Sequence, residues 1–193
     1  MRTAPSSALE DPALRVPDVP AADAGVAWLR AHVVRFSEGP SHTRRREVVA
    51  AVIADLTPRV QPGGDPTERL LLAFGLPAAH VPDVALVADA YQPHAPQSPE
   101  ADAAADRLVA ALGPRDERTA ARVGVLVQAH AATRTLVDRL RTGDPRPPVP
   151  STRRIAPDGE VVEVDLTDAP FGRGHHACPG RTLAIRLATA ALP

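Results

Sequence analysis

One cysteine stands among the 193 residues, and it lies in a ten-residue stretch that leaves the backbone little choice. Residues 171–180 read Phe-Gly-Arg-Gly-His-His-Ala-Cys-Pro-Gly. Glycines at 172, 174 and 180 permit backbone paths that side chains resist, and they let a chain pass close under a flat surface. Pro179 and Gly180 fit the start of a helix, and residues 181–192 follow with Leu183, Leu187 and Ala191 four apart on one face. A sulfur at that position meets backbone N–H groups, which favour its thiolate form. The stretch therefore demands a scaffold that presents Cys178 from a tight loop at a helix N-terminus; the bland alternative is a buried structural cysteine. A lone cysteine excludes an intrachain disulfide, and a reducing cytoplasmic setting is expected.

The remaining sequence predicts a helical scaffold. Short helices are expected over 21–34 and 81–91. Val48, Val49, Val52, Ile53 and Leu56 form a helical stripe over 41–56. Asp65-Pro66-Thr67-Glu68 combines an N-cap, a proline in the first turn and an acid, opening a helix that Gly75 closes. Ser98-Pro99-Glu100 opens another that runs to Leu112 and stops at Gly113. Residues 115–141 give the longest helix, with Val123, Leu126, Val127, His130, Val137 and Leu140 along one side and Gly143 beyond its end. A proline-rich connector spans 145–150, and Pro157-Asp158-Gly159 turns a small hairpin over 155–164. Residues 1–20 carry five charges and four prolines without periodicity and are expected to be disordered or loosely packed. Residues 21–193 are then a single domain, long enough for a real core. The formal charge of −1 gives no pull toward nucleic acid or anionic membrane. No apolar run approaches the roughly 20 residues of a membrane span. With five aromatic residues in all (Trp28, Phe36, Phe74, Tyr91, Phe171), Ala, Val and Leu must fill the core.

The 171–180 stretch resembles the haem-ligand loop of the cytochrome P-450 superfamily, Phe-Gly-x-Gly-x-His-x-Cys-x-Gly, at all six defined positions. The resemblance implies a mainly α, compact P-450-like helical haem domain with one small β-hairpin. It implies haem b with Cys178 as the iron ligand, and Phe171, Gly172, Gly174 and Gly180 shaping the loop around it. Three further segments resemble the family in the same chain order. The first is Gly39–Arg46, where His42 and Arg46 stand four apart on one helix face and match a pair that contacts a haem propionate. Read without the loop, it is a solvated basic helix start. Arg154 matches the strand arginine that holds the other propionate, with Arg153 its neighbour should the register differ by one. His176 occupies the loop's own propionate position. These four basic groups would neutralise a buried dianion.

The last segment, residues 124–133, resembles the helix crossing the distal face of haem, but departs from it where the chemistry lies. Ala131 stands where the family has an acid and Ala132 where it has the oxygen-activating threonine; Thr133 alone survives. Without that acid–alcohol pair, standard monooxygenation loses proton delivery commonly worth about 10²–10⁴ in rate. Gln128, His130 and Thr133 are the remaining candidate catalytic residues, and His130 is an acid–base group, a sixth iron ligand or a core histidine. Asp138 and Arg141 are either a shortened form of the family's Glu-x-x-Arg pair or a surface pair. The loop that usually precedes the cysteine motif is nearly absent and the chain is much shorter than most members, so compaction around the cofactor is expected.

The resemblance therefore implies a haem-thiolate oxidoreductase acting on a small metabolite. Its expected reaction is peroxide-type oxidation, or non-redox rearrangement or dehydration at the iron. The alternative is a non-catalytic haem protein, a gas or redox sensor or a partner subunit. Expected partners are a small-molecule substrate and peroxide or a redox partner docking near Arg44, Arg45 and Arg173, with a homodimer formed through apolar helix faces and neither nucleic acid nor membrane.

Overall fold

The computed structural model describes residues 1–57 and 63–192, so the end of the expected domain at residue 193 lies outside the described residues. Seven helices and a small sheet make up the described fold: β1 (Arg2–Ala4), α1 (Gly25–His32), α2 (Gly39–Asp55), α3 (Pro66–Ala73), α4 (Val81–Ala90), α5 (Pro99–Leu112), α6 (Glu117–Thr142), β2 (Ser151–Ile155), β3 (Val161–Asp165) and α7 (Arg181–Ala190). The mainly α architecture matches the reading from sequence, and most helix ends fall where the punctuation placed them. The Asp65 carboxylate accepts from Thr67 and Glu68 N–H, Ser98 Oγ accepts from Ala101 N–H, and Gly143 closes α6 in the left-handed conformation.

Helix α6 is the axis of the molecule: α2, α4, α5, α3, α1 and α7 all pack on it. Its Val123, Leu126 and Val127 share one apolar core with Val26 and Leu29 of α1, Leu70 and Leu71 of α3, Val84 and Val87 of α4, Leu108 of α5 and Leu187 of α7. Each such side chain contributes about 1.5–3 kcal/mol by leaving water. Buried Arg30 donates from Nε to Tyr91 O at 3.0 Å and from Nη2 to Gln92 O at 2.8 Å, satisfying carbonyls that the end of α4 leaves unpaired.

The sheet is larger than the single expected hairpin. β2 and β3 pair antiparallel, as the Pro-Asp-Gly turn requires, and β1 adds to β3 in parallel, Arg2 opposite Val162 and Ala4 opposite Val164. Residues 1–20, expected to be loose, thus contribute a strand, a 3₁₀ turn at Ser6–Glu10 and buried Leu9 and Val16. Leu9 packs in a second apolar cluster with Ala156, Val162, Val164 and Leu166. Composition misleads here because a parallel strand pairing across about 160 residues leaves no local periodicity to read.

Candidate functional site

The loop carrying Cys178 is held from several sides. Cys178 N–H donates to Phe171 O at 2.7 Å and Gly172 N–H to Ala169 O at 2.8 Å. Gly172 and Gly174 adopt φ of +73° and +64°, conformations that non-glycine residues rarely enter. The Arg181 guanidinium lies 5.4 Å from the centre of the Phe171 ring. Sγ sits at the N-terminus of α7, where Gly180 N–H points at it. Burial pushes the Cys178 thiol above its ordinary value, while that N–H, Arg46 and Arg35 pull the other way. The residue as a whole is exposed, and its sulfur is flanked by cations, as a metal-binding thiolate needs.

The four expected carboxylate-binding groups converge beside this loop. His42, on the first turns of α2, is 5% exposed, and its ring meets His176 edge-on at 4.3 Å between centroids. One turn on, Arg46 Nη1 donates to Ala177 O, next to the cysteine. Arg154 is buried on β2, and its Nη1 donates to Arg153 O at 2.9 Å and Thr152 Oγ1 at 3.4 Å. Burial holds Arg154 down at about 10, helped by the nearby Arg35 and opposed by Glu38. Strand alternation puts half-buried Arg153 on the other face, so that Arg154 is the one directed toward the cluster. His176 is lowered to about 4 by burial, against the hydrogen bond of its Nε2 to Glu38 Oε2 at 3.2 Å.

Arg35, His175 and Glu38 belong to the same cluster and were not read from the sequence. Arg35 sits in no motif, His175 fills an unconstrained place in the loop, and Glu38 precedes α2 as one acid among many. Among the described residues, His42 Nε2 and Arg35 Nε are buried without a hydrogen-bond partner. Buried donors left unpaired cost about 1–3 kcal/mol each. Arg35, Arg46, Arg154, His42 and His176 around a single carboxylate are a donor set short of acceptors. The carboxylates of a porphyrin would supply those acceptors, and Cys178 would ligate its iron, so the residues fit the group.

The candidate catalytic residues do not assemble into one constellation. His130 Nδ1 shares a hydrogen bond of 2.9 Å with Thr67 Oγ1 of α3; burial lowers its pKa, and Arg134 adds to this against Asp65 and Asp89. Gln128 lies about 200° away around the helix, where its Nε2 donates to Gly124 O at 3.1 Å and it borders a crevice with His32, Val33 and Arg45. Thr133 is buried, and among the described residues its Oγ1 has no hydrogen-bond partner. Asp138 and Arg141 form a loose exposed pair at 3.8 Å, with Arg141 Nη2 also donating to Ala191 O at 3.1 Å. The arginines named for partner docking are engaged internally: Arg44 and Arg45 on Glu117, Arg173 on Ser6 and Asp168.

No family model and no curated protein matches the sequence. Solved structures do match the fold, and they are cytochromes P450. P450BioI, in complex with acyl carrier protein ligated with hexadec-9Z-enoic acid, aligns with a TM-score of 0.66 at 14% identity, over 96% of this chain and 80% of that one. CxnD, a cytochrome P450 for C–S bond formation in chuangxinmycin biosynthesis, gives 0.61 at 14% identity over 96% and 76%. CalO2 gives 0.64 at 18% identity over 90% and 73%. The chain has a shortened cytochrome P450 fold. Among the described residues no helix is long and apolar enough to cross a membrane.

Proposed function

We propose that the chain is a compact haem-thiolate protein of the P450 kind, an oxidoreductase acting on a small metabolite. The observation that carries this is the Cys178 sulfur at the N-terminus of α7, beside a buried basic cluster with unpaired donors. Cys178 would ligate the iron, and His42, Arg46, Arg154 and His176 would hold the carboxylates. Phe171, Gly172, Gly174 and Gly180 would shape the loop beneath the ring. Haem b bound there would supply an iron centre enriched in electron density by its thiolate.

Peroxide-type oxidation, or rearrangement or dehydration at the iron, suits this chain better than standard monooxygenation. Ala131 and Ala132 have no group that holds or moves a proton. His130, its Nδ1 engaged by Thr67, is left with Nε2 for that task. A second reading, a non-catalytic haem sensor or partner subunit, is favoured by the separation of Gln128 from His130 around α6. Peroxide or a redox partner would serve the first reading, with the chain acting alone or as a homodimer.

Adding hemin to the purified full chain tests both. The expected result is one haem per chain and, after reduction under carbon monoxide, the red-shifted Soret band of a thiolate-ligated adduct. Cys178→Ser is expected to lose that band while keeping weak haem association. A colourless chain, or an identical spectrum from the serine variant, rejects the haem-thiolate assignment. Turnover of peroxide with Cys178 intact separates the enzyme from the sensor.

A further inference from the structure

Haem carboxylates account for the arginines of the cluster but leave Glu38 unexplained, because a carboxylate beside a propionate is repulsive. We propose that Glu38, His175 and His176 form a second metal site, which takes a divalent d-block cation such as Zn²⁺. One ligand atom from each of the three lies within 4.8 Å of the others. Glu38 Oε2 is 3.2 Å from His176 Nε2 and 3.8 Å from His175 Nε2. Zinc bonds of about 2.0–2.1 Å in a tetrahedron place ligands about 3.3 Å apart, so the Glu38–His176 separation already fits, the Glu38–His175 one needs a shift of a few tenths of an ångström, and the two imidazole nitrogens, within 4.8 Å of one another, set the remaining adjustment.

The backbone brings these groups together in a way the family motif does not require. A 3₁₀ turn over Gly174–His176, entered through the left-handed Gly174, sets two successive imidazoles side by side with centroids 4.3 Å apart. Glu38 is oriented from behind: its Oε1 accepts from Val16 N–H at 2.8 Å, which leaves Oε2 for the histidines. Support of this kind on a ligand's far side is what tunes and positions metal ligands. His42 borders the site without belonging to it. It is buried, stands edge-on to His175 and His176, and its Nε2 has no partner. The fourth position of the shell is left to water. Two imidazoles with one carboxylate select Zn²⁺, Ni²⁺ or Cu²⁺ over Ca²⁺ or Mg²⁺, which require oxygen ligands.

The site goes beyond the haem assignment and does not rest on it. His176 belongs to both sets, so the test turns on His175, which has no part in holding haem. The full chain, washed with chelator, is titrated with ZnCl₂ by calorimetry and with Co²⁺ in the visible range. One ion per chain is expected, with the bands of tetrahedral cobalt and a higher unfolding midpoint in zinc. His175→Ala is expected to weaken zinc binding at least about tenfold while its helicity and hemin uptake match the parent; Glu38→Gln is expected to weaken binding likewise. Absence of saturable one-to-one binding, or parental affinity in His175→Ala, overturns the site. Zinc binding without hemin uptake would leave this site standing and remove the haem assignment; the reverse result removes only this site.

Discussion

Gly172, at φ +73°, and Gly174, at +64°, are the points where the cysteine loop turns back on itself so that Cys178 N–H reaches Phe171 O. At Gly172 an added Cβ would find Ala177 Cα at 3.7 Å, an ordinary contact, so the barrier to a side chain there is conformational and not steric. That strain is worth about 1–2 kcal/mol. Gly172→Ala is therefore expected to lower the thermal unfolding midpoint by about 2–8 °C, with weaker retention of hemin than the parent. An unchanged midpoint in differential scanning calorimetry would contradict the conformational argument. Gly180 differs: its φ is negative, and its contribution is the N–H that faces the sulfur. The sequence motif treats the three glycines alike, whereas their backbone angles separate two turn-makers from one hydrogen-bond donor.

Helices whose ends are fixed by their own neighbours in the chain are legible in the sequence, and those fixed from afar are not. Asp65, Ser98 and Gly143 act within a few residues, and each marks a helix end as read. Helix α1 has no side-chain cap of its own. Its first N–H groups are met by α5, Gly25 by Asp106 Oδ1 and Val26 by Asp102 Oδ1, both at 2.9 Å and far away in sequence. The same holds for the join of α2 to α6. Glu117, in the first turn of α6, accepts from Arg44 Nε at 2.9 Å and Nη2 at 2.8 Å, and from Arg45 Nε at 2.9 Å. The Arg44 bond, against burial and with Arg45 adding to it, holds Glu117 down at about 2, from an ordinary 4.5. A carboxyl depressed on folding stabilises the protein above its unfolded value and loses that contribution as pH falls toward the folded one. Glu117→Gln is thus expected to cost about 1 kcal/mol at pH 7, since solvent screens so exposed a cluster. Its deficit against the parent is expected to shrink between pH 4.5 and 2, the two ends of the shift. Urea unfolding at several pH values reads this directly, and a deficit that does not depend on pH would show that packing, and not charge, joins the two helices there.

At the scale of the whole molecule, the helical core and the cysteine loop are legible in the sequence, but the brace between them is not. The first sixteen residues provide it. β1 pairs with β3, and Arg15 exchanges backbone hydrogen bonds with Ile155 of β2 at 3.0 and 2.8 Å. Leu9 lies against Gly172, and its carbonyl lies near Gly174. Ser6 Oγ accepts from Arg173 Nε at 2.9 Å, and Val16 N–H holds Glu38. The segment therefore touches the sheet, the loop and the carboxylate that faces the histidines, yet none of its residues belongs to the core around α6. Removing residues 1–16 is expected to leave the helices folded while exposing Val162, Val164 and Leu166 of the smaller cluster. Loss of buried Leu9 and Val16 alone costs about 3 kcal/mol or more. Freed from its brace, the 171–180 loop is also expected to hold hemin and zinc less tightly. The truncated chain would thus show near-parental circular dichroism, a lower unfolding midpoint and weaker uptake of both ligands. If midpoint and uptake match the full chain, the amino-terminal strand is an ornament on the fold and the loop derives its order from α2 and α7 alone.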